Sequence, residues 1–318
     1  MNDVRVAAVQ MESAPGDKDG NFDKLARLAE QAATQGARIV AFPECCLTGY
    51  WFLRRLRVPE LEALAERVPD GAASRRLAEL AARLGITIGA GLVEAGEPGV
   101  FHNTYVVAMP DGRVVRHRKL HAFEHPAIRA GSEHTVFDTP HGVRAAVLVC
   151  YDNNIVENVR IAALRGAELL IAPHQTGGCR TTNPHLMGAI ERRLWDERKT
   201  NPEAIETELR GEKGRAWLLR WLPSRAHDNG LFLLFSNGIG VDDDEIRTGN
   251  AMVLDPYGRV LAETWKARDE IVVADLDGSL LERATGRLWI QARRPALYGE
   301  LAQPTGRERD THELKLEE

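Results

Sequence analysis

No stretch of about 18 consecutive apolar residues occurs in this chain of 318, so a membrane-spanning helix is not expected. The opening MNDVRVAAVQ has no basic segment leading into an apolar one. No secretory signal is therefore expected, and the cytoplasm is the expected compartment. Cysteine is scarce. Cys45, Cys46, Cys150 and Cys179 show no CxxC or CxxxC spacing, which argues against a disulfide framework, a zinc ribbon and a thioredoxin-like motif. Cys45 and Cys46 are neighbours, a geometry that rarely makes a relaxed disulfide. His102, His125, His134, His141, His174 and His185 fall at no ligand spacing such as HExxH, so a metal site is not expected. The glycines form neither GxGxxG nor a P-loop. Positive charge is not in excess: 41 Lys and Arg face 46 Asp and Glu, a net charge of −5. That balance argues against a general nucleic-acid binder.

What is present is an ordinary globular composition, 44% hydrophobic and 27% charged, in a chain long enough to bury a full core without covalent staples. Strand-like and helix-like segments alternate. VRVAAVQ (4–10), RIVAF (38–42), ITIGAGLVE (86–94), NTYVVAM (103–109) and RVVRHRK (113–119) read as strands, with Asp111-Gly112 as a hairpin turn. Asn21 reads as the cap of a helix with the stripe Phe22, Leu25, Leu28, Ala29 and Ala32, closed by Gly36; a second helix spans 72–84 and ends at Gly85. RAAVLVC (144–150), ELLIAPH (168–174), LFLLFSNG (231–238), NAMVLD (250–255), RVLAET (259–264) and EIVVADLD (270–277) repeat the pattern around a helix at 155–165. An α/β fold follows. Residues 1–300 are expected to form one domain. Within it, 180–222 is too long for a simple connection and reads as a helical insertion serving as a lid or an interface. The charged tail, 301–318, is expected to be disordered or to dock on a partner subunit.

Three residues could carry chemistry. Cys150 ends an apolar strand and precedes a helix, whose N-terminus would favour a thiolate; a buried small hydrophobe is the bland alternative. Glu44 follows a strand and a proline in AFPECCLTGY, as a turn cap or a general base. Lys119, in RHRKLHAF, is by itself a solvated charge. Together they make a thiol, a carboxylate to move its proton, and a cation for an oxyanion.

AFPECCLTGY, RHRKLHAF and VLVCYDNNIVENVRIAALRGAELLIAP, in this order and spacing, resemble the three motifs of the nitrilase (carbon–nitrogen hydrolase) superfamily. The similarity runs over about residues 4–300, with 180–222 matching least. It implies a single-domain, four-layer α–β–β–α sandwich and no cofactor. It also implies a covalent mechanism. Glu44 takes the Cys150 proton, the thiolate attacks, and Lys119 with the backbone N–H of Tyr151 stabilises the oxyanion. Glu124, in KLHAFEHPAIRAG, matches a second, supporting glutamate of many members, with Glu133 as the fallback.

The resemblance also bears on substrate. Tyr151-Asp152 follow the cysteine where nitrile hydrolysers have Trp-Glu, which is similar to amidase branches. N-carbamoyl amino-acid hydrolases place arginine shortly after the cysteine; here stand Asn153 and Asn154, which hydrogen-bond but carry no charge. An anionic amino-acid substrate is disfavoured unless an arginine such as Arg180 reaches in. Tyr50, Phe52, His125, Gln175 and Thr176 take pocket positions by motif and are equally open to packing roles. The expected function is hydrolysis of a small-molecule amide through a cysteine thioester. An N-carbamoyl-amide hydrolase is the alternative, then a true nitrilase or an acyltransferase; a catalytically silent scaffold is the reading of a different class. LTGY also resembles the glutaminase arm of a synthetase, which would require a second, nucleotide-using domain. The family implies a homodimer or higher homo-oligomer, with no nucleic-acid or membrane partner.

Overall fold

A computed structural model describes residues 1–179 and 181–314. The main sheet folds on itself. One half carries β1 (Val4–Met11), β2 (Ile39–Ala41), β3 (Thr87–Ala95), β4 (Phe101–Ala108) and β5 (Val114–Arg118). The other half carries β6 (Thr135–Asp138), β7 (Arg144–Val147), β8 (Leu169–His174) and β9 (Phe232–Asp242). The order is β5-β4-β3-β2-β1-β9-β8-β7-β6. The halves join where β1 meets β9 through only two pairs, Gln10 with Asn237 and Met11 with Gly238. A hairpin strand β10 (Glu245–Thr248) extends β9; β11 (Met252–Leu254) pairs β9 and β12 (Val260–Glu263); β13 (Glu270–Leu276) runs antiparallel to β1.

Residue parity explains the layers. Val6 and Ala8 of β1, with Ile39, Ala41, Tyr105 and Val107, share one buried cluster with Ala145, Val147, Leu169, Ile171, Phe232 and Leu234 from the other half. Their neighbours Ala7, Val9 and Met11 point the other way, against Phe22, Leu25 and Ala29 of α1 (Lys18–Thr34) and Leu77 and Ala81 of α3 (Ala72–Leu84). Ala146 and Leu148 likewise face outward, against Val159 and Ala162 of α4 (Val156–Leu164). The result is the expected α–β–β–α sandwich. A short α2 (Val58–Leu64) lies before α3, and α9 (Thr285–Gln291) follows the last strand.

Helix α1 departs from its sequence reading at its start. Asp17 is the cap, its side chain accepting from Gly20 N–H at 3.0 Å. Asn21 instead lies inside the helix and is buried. Its amide bridges the backbone of Ala14 and the carbonyl of Leu47, tying the β1–α1 loop to the turn after β2. Gly85 closes α3 in a left-handed conformation, as expected.

The 180–222 region contains α5 (Arg192–Asp196), α6 (Pro202–Arg210) and α7 (Arg215–Leu218), and α8 (Leu222–His227) continues it. Ile190, Trp195, Ile205 and Leu209 form a small core of their own on Ile239 and Ile246 of β9 and β10. Leu218, Leu222 and Ala226 join the outer core beside α4. The described part of the tail lies on its own chain: Thr311 donates to Ala122 O at 2.7 Å, and His312 Nε2 lies 3.2 Å from His125 O.

The strands β1, β2, β3, β7, β8 and β9 run parallel to their neighbours in this set, and β5, two antiparallel steps from β3, points the same way. Their C-terminal ends therefore share one edge. Gly91 of β3 lets the turn after β2 press against it: a Cβ there would sit 2.1 Å from the Cys45 nitrogen and 2.8 Å from the Glu44 carbonyl carbon. Gly91→Ala is expected to destabilise the protein by about 2 kcal/mol or more, because backbone must move. Urea unfolding of the two proteins measures this, and a loss within about 0.5 kcal/mol would show that the turn yields freely.

Candidate active site

Glu44 follows β2, Lys119 follows β5 and Cys150 follows β7. The first two come from one half of the sandwich and the third from the other, all at the shared strand-end edge. Glu44 and Lys119 are fully buried. Lys119 Nζ donates to Glu44 Oε1 at 2.8 Å and makes a second, very short contact with Glu124 Oε1. Glu124 is itself buried, whereas Glu133, its fallback in the sequence reading, is exposed. The ring of Phe123 lies under the ammonium, 4.5 Å from Nζ to centroid, and Tyr50 lies at 5.8 Å.

Asn103 of β4 completes the cluster and was not foreseen. Its Nδ2 donates to Glu44 Oε1 at 2.7 Å and to Glu124 Oε1 at 2.9 Å, and its Oδ1 accepts from Cys45 Sγ at 3.3 Å. The available signal was an amide interrupting the apolar strand NTYVVAM. Glu44 Oε2 is buried without a hydrogen-bond partner among the described residues, so this oxygen is available to accept a proton.

The electrostatics follow from two carboxylates and one ammonium sharing a dry space. Burial, then the nearby Cys150, push the Glu44 carboxyl well above its usual range; Lys119 opposes this and Glu124 adds to it. Burial works against the Lys119 charge, but Glu124 and Glu44 hold its pKa well above the ordinary lysine value.

Cys150 is half-buried and has φ of 49°, a left-handed conformation unusual for a residue with a side chain. Asp152 holds the turn. Its carboxylate accepts from the N–H groups of Val149 (3.0 Å), Leu120 (3.2 Å) and His121 (2.9 Å) and from the His121 ring (3.0 Å), with His117 Nε2 at 3.4 Å. Burial opposes its charge, yet the bonds from His117 and His121 keep it well below the ordinary carboxylate range. One carboxylate thus links the residues after Lys119 to those around Cys150. Phe123 and Tyr151 meet edge to face at 5.9 Å across the same junction. No acceptor within the described residues is paired with the Tyr151 N–H.

The remaining expected positions divide. Gln175 Nε2 donates to Glu44 O at 2.7 Å, and Tyr50 is buried beside Lys119. Thr176 is near, its hydroxyl 3.2 Å from His174 Nδ1. Asn153 is fully buried with its amide nitrogen turned to the protein: Leu148 O at 2.7 Å, His174 Nε2 at 3.1 Å and Cys150 O at 3.3 Å. Asn154 is exposed. Both ring nitrogens of His125 are engaged, Nε2–H by Leu56 O and Nδ1 by Ala127 N–H. Phe52 packs at the margin of the cluster around Tyr50 and Leu53. Arg180 lies outside the described residues. Among the described residues no group of three His, Cys, Asp or Glu could hold a metal ion.

A family model described as carbon-nitrogen hydrolase matches residues 5–285. The chain is similar to the omega-amidase NIT2-B of Xenopus laevis, 28% identical over 312 residues that cover 94% of this chain and 98% of that one. It is also similar to a nitrilase of Pyrococcus abyssi, 27% identical, with 86% and 90% covered. Among solved structures, the amidase NitN of Nesterenkonia sp. AN1 superposes with a TM-score of 0.64 at 25% identity, covering 91% of this chain and 100% of that one. Nit3 of Saccharomyces cerevisiae, at 24% identity, shares the fold with a TM-score of 0.68 and 91% and 94% covered.

Glu124→Gln removes a negative charge that raises Glu44, so the Glu44 carboxyl is expected to ionise at lower pH. The acidic limb of Cys150 alkylation by iodoacetamide, followed by peptide mass spectrometry between about pH 4 and 9, should move to lower pH in this variant. A limb that stays put or moves upward would disconnect Glu124 from Glu44.

Proposed function

The chain belongs to the carbon–nitrogen hydrolase family and hydrolyses amide C–N bonds, and from that premise we propose that Cys150 is its nucleophile, Glu44 its general base and acid, and Lys119 its oxyanion cation. The observation that carries this is the buried Glu44–Lys119–Glu124 cluster on the same strand-end edge as the left-handed Cys150 turn. Glu44 Oε2 takes the Cys150 thiol proton. The sulfur attacks the amide carbon, an S–C bond forms, and the C=O π electrons move to oxygen, where Lys119 Nζ and the Tyr151 N–H stabilise them. As the tetrahedral species collapses, the C–N bond breaks and protonated Glu44 returns its proton to the leaving nitrogen. Water then attacks the thioester carbon while Glu44 takes one of its protons. The C=O bond re-forms as the S–C bond breaks, and the sulfur takes from Glu44 the proton that came from water. The sum is amide plus water giving acid plus ammonia or amine. Glu124 and Asn103 hold Lys119 and Glu44 in place.

Supporting this reading, a Glu-to-Gln variant of the Nesterenkonia amidase adds acrylamide at its active-site cysteine, and a Cys-to-Ala variant of it binds butyramide. The substrate assigned here is a small amide. We assign the working unit to at least a homodimer, because Val156 and Leu164 of α4 and Leu288 and Trp289 of α9 stand in solvent. We assign it to the cytoplasm, in keeping with a chain that has few cysteines and no CxxC spacing.

Wild type should release ammonia from short primary amides, and Cys150→Ala should release none. Release from N-carbamoyl compounds or nitriles alone would overturn the substrate class. Release that survives in Cys150→Ala would overturn the nucleophile. Light scattering should give at least twice the 35.2 kDa chain mass at micromolar concentration; a value near 35.2 kDa would refute the dimer.

A further inference from the structure

His174, at the end of β8, lies outside the chemistry above, yet it is buried and fully hydrogen-bonded. Its ring lies tilted against Phe235 (4.7 Å, 48°) and Trp221 (5.9 Å, 36°). Nε2 faces the Asn153 amide nitrogen at 3.1 Å, and Nδ1 faces the Thr176 hydroxyl at 3.2 Å. The Asn153 amide cannot be reversed. Its nitrogen faces the carbonyl oxygens of Leu148 and Cys150 at 2.7 and 3.3 Å, and an oxygen placed there would meet both lone-pair to lone-pair. The amide nitrogen has two protons: one goes to Leu148 O, the shortest contact, and the other is shared between His174 Nε2 at 3.1 Å and the more distant Cys150 O at 3.3 Å. An Nε2–H would face this nitrogen with nothing to accept it, so Nε2 accepts and the imidazole proton sits on Nδ1, toward Thr176. Burial lowers the His174 pKa to about 3, so the ring stays neutral at working pH.

We propose that His174 is a positioning residue for the thioester chemistry. As a neutral Nδ1–H imidazole it locks the Asn153 amide, which gathers the carbonyls on either side of Val149 and thereby holds the left-handed Cys150 and the N–H of Tyr151 that follows it. This rests on the assignment of Cys150 and the Tyr151 N–H given above. The strain makes the lock necessary: a residue at φ of 49° persists only where its surroundings over-determine it. Asp152 fixes the nitrogen side of this turn through Val149 N–H, and Asn153 fixes its carbonyl side.

The test separates shape from hydrogen bonding. His174→Phe keeps an aromatic ring against Phe235 and Trp221 but offers no acceptor; His174→Gln restores one. His174→Phe should lower kcat by about 10- to 100-fold with KM within about threefold, because a displaced oxyanion donor affects the transition state selectively. Alkylation of Cys150 by iodoacetamide, a displacement that forms no oxyanion, should change less than about threefold. His174→Gln should recover at least half of the logarithmic loss in kcat. Independently, nitrogen-15 NMR of the wild-type imidazoles should show His174 as the Nδ1–H tautomer from about pH 5 to 9. Unchanged kcat in His174→Phe, parallel loss of kcat and alkylation, no recovery in His174→Gln, or an Nε2–H tautomer would each overturn the proposal. Cys150→Ala run alongside tells the two readings apart: residual turnover there removes the cysteine mechanism itself, whatever His174 does.

Discussion

A buried ammonium between two buried carboxylates is the constraint on which the rest of the structure depends. An isolated ion in such a place is disfavoured by several kcal/mol, and pairing compensates only when the remaining hydrogen-bonding capacity is satisfied. Asn103 supplies part of that satisfaction by donating to the same two oxygens that receive Lys119, while Glu44 Oε2 keeps no partner among the described residues. The demand then propagates outward. Lys119 must leave β5 in one place, and both its backbone groups are fixed: its N–H by Asn103 O and its carbonyl by Gly131 N–H. The strand before it is clamped by buried Glu94, which receives Arg116, Arg118 and Thr104. With one positive and two negative charges the cluster stays one proton short of neutrality. Burial above all, then the nearby Cys150 and the negative charge of Glu124, make Glu44 reluctant to remain ionised, which is what a group alternating between base and acid requires.

The second constraint is backbone strain at the two cysteine turns. Cys45 and Cys150 both have positive φ, at roughly 1–3 kcal/mol each for side chains in that region. Each is held by several bonds. The Cys45 carbonyl receives the N–H groups of Thr48 and Gly49, and its thiol reaches Asn103. Around Cys150 the holding group is Asp152, whose bonds also reach Leu120 and His121. The spacing between Lys119 and Cys150 is thus set by a carboxylate whose charge persists through the pH range in which Glu44 changes its own.

Much of this was legible because apolar runs such as VRVAAVQ and RAAVLVC mark strands and their ends, while the four layers and the joint roles of Glu44, Lys119 and Cys150 came from the resemblance of three ordered motifs. What escaped depends on partners remote in sequence. Asn21 and Asp17 are both competent caps; the choice is made by Leu47 and Ala14, which claim the asparagine. The hairpin of β9 and β10 turns through Asp243 at φ of 59°, with no glycine to mark it. Asn103 looked like one polar residue in a strand until β4 placed it beside two glutamates. The tail carried only charge in its sequence, and its docking rests on two backbone carbonyls, at Ala122 and His125, that flank Glu124.

The helical insertion is better understood as two pieces with different allegiances. Its first piece, from Ile190 through Leu209, packs its own apolar cluster on β9 and β10 and is also tied to the 265–267 segment and to Asn250. Its last piece belongs to the sandwich. Leu218, Leu222 and Ala226 are part of the outer core, Trp221 covers His174, and Arg225 of α8 donates to the carbonyls of Asn153 (2.7 Å) and Asn154 (3.0 Å), where the turn after Cys150 ends. A lid that swung as one body would have to break these bonds and strip the nucleophile's turn of its support. The end of the insertion is thus a fixed brace for the turn that carries Cys150.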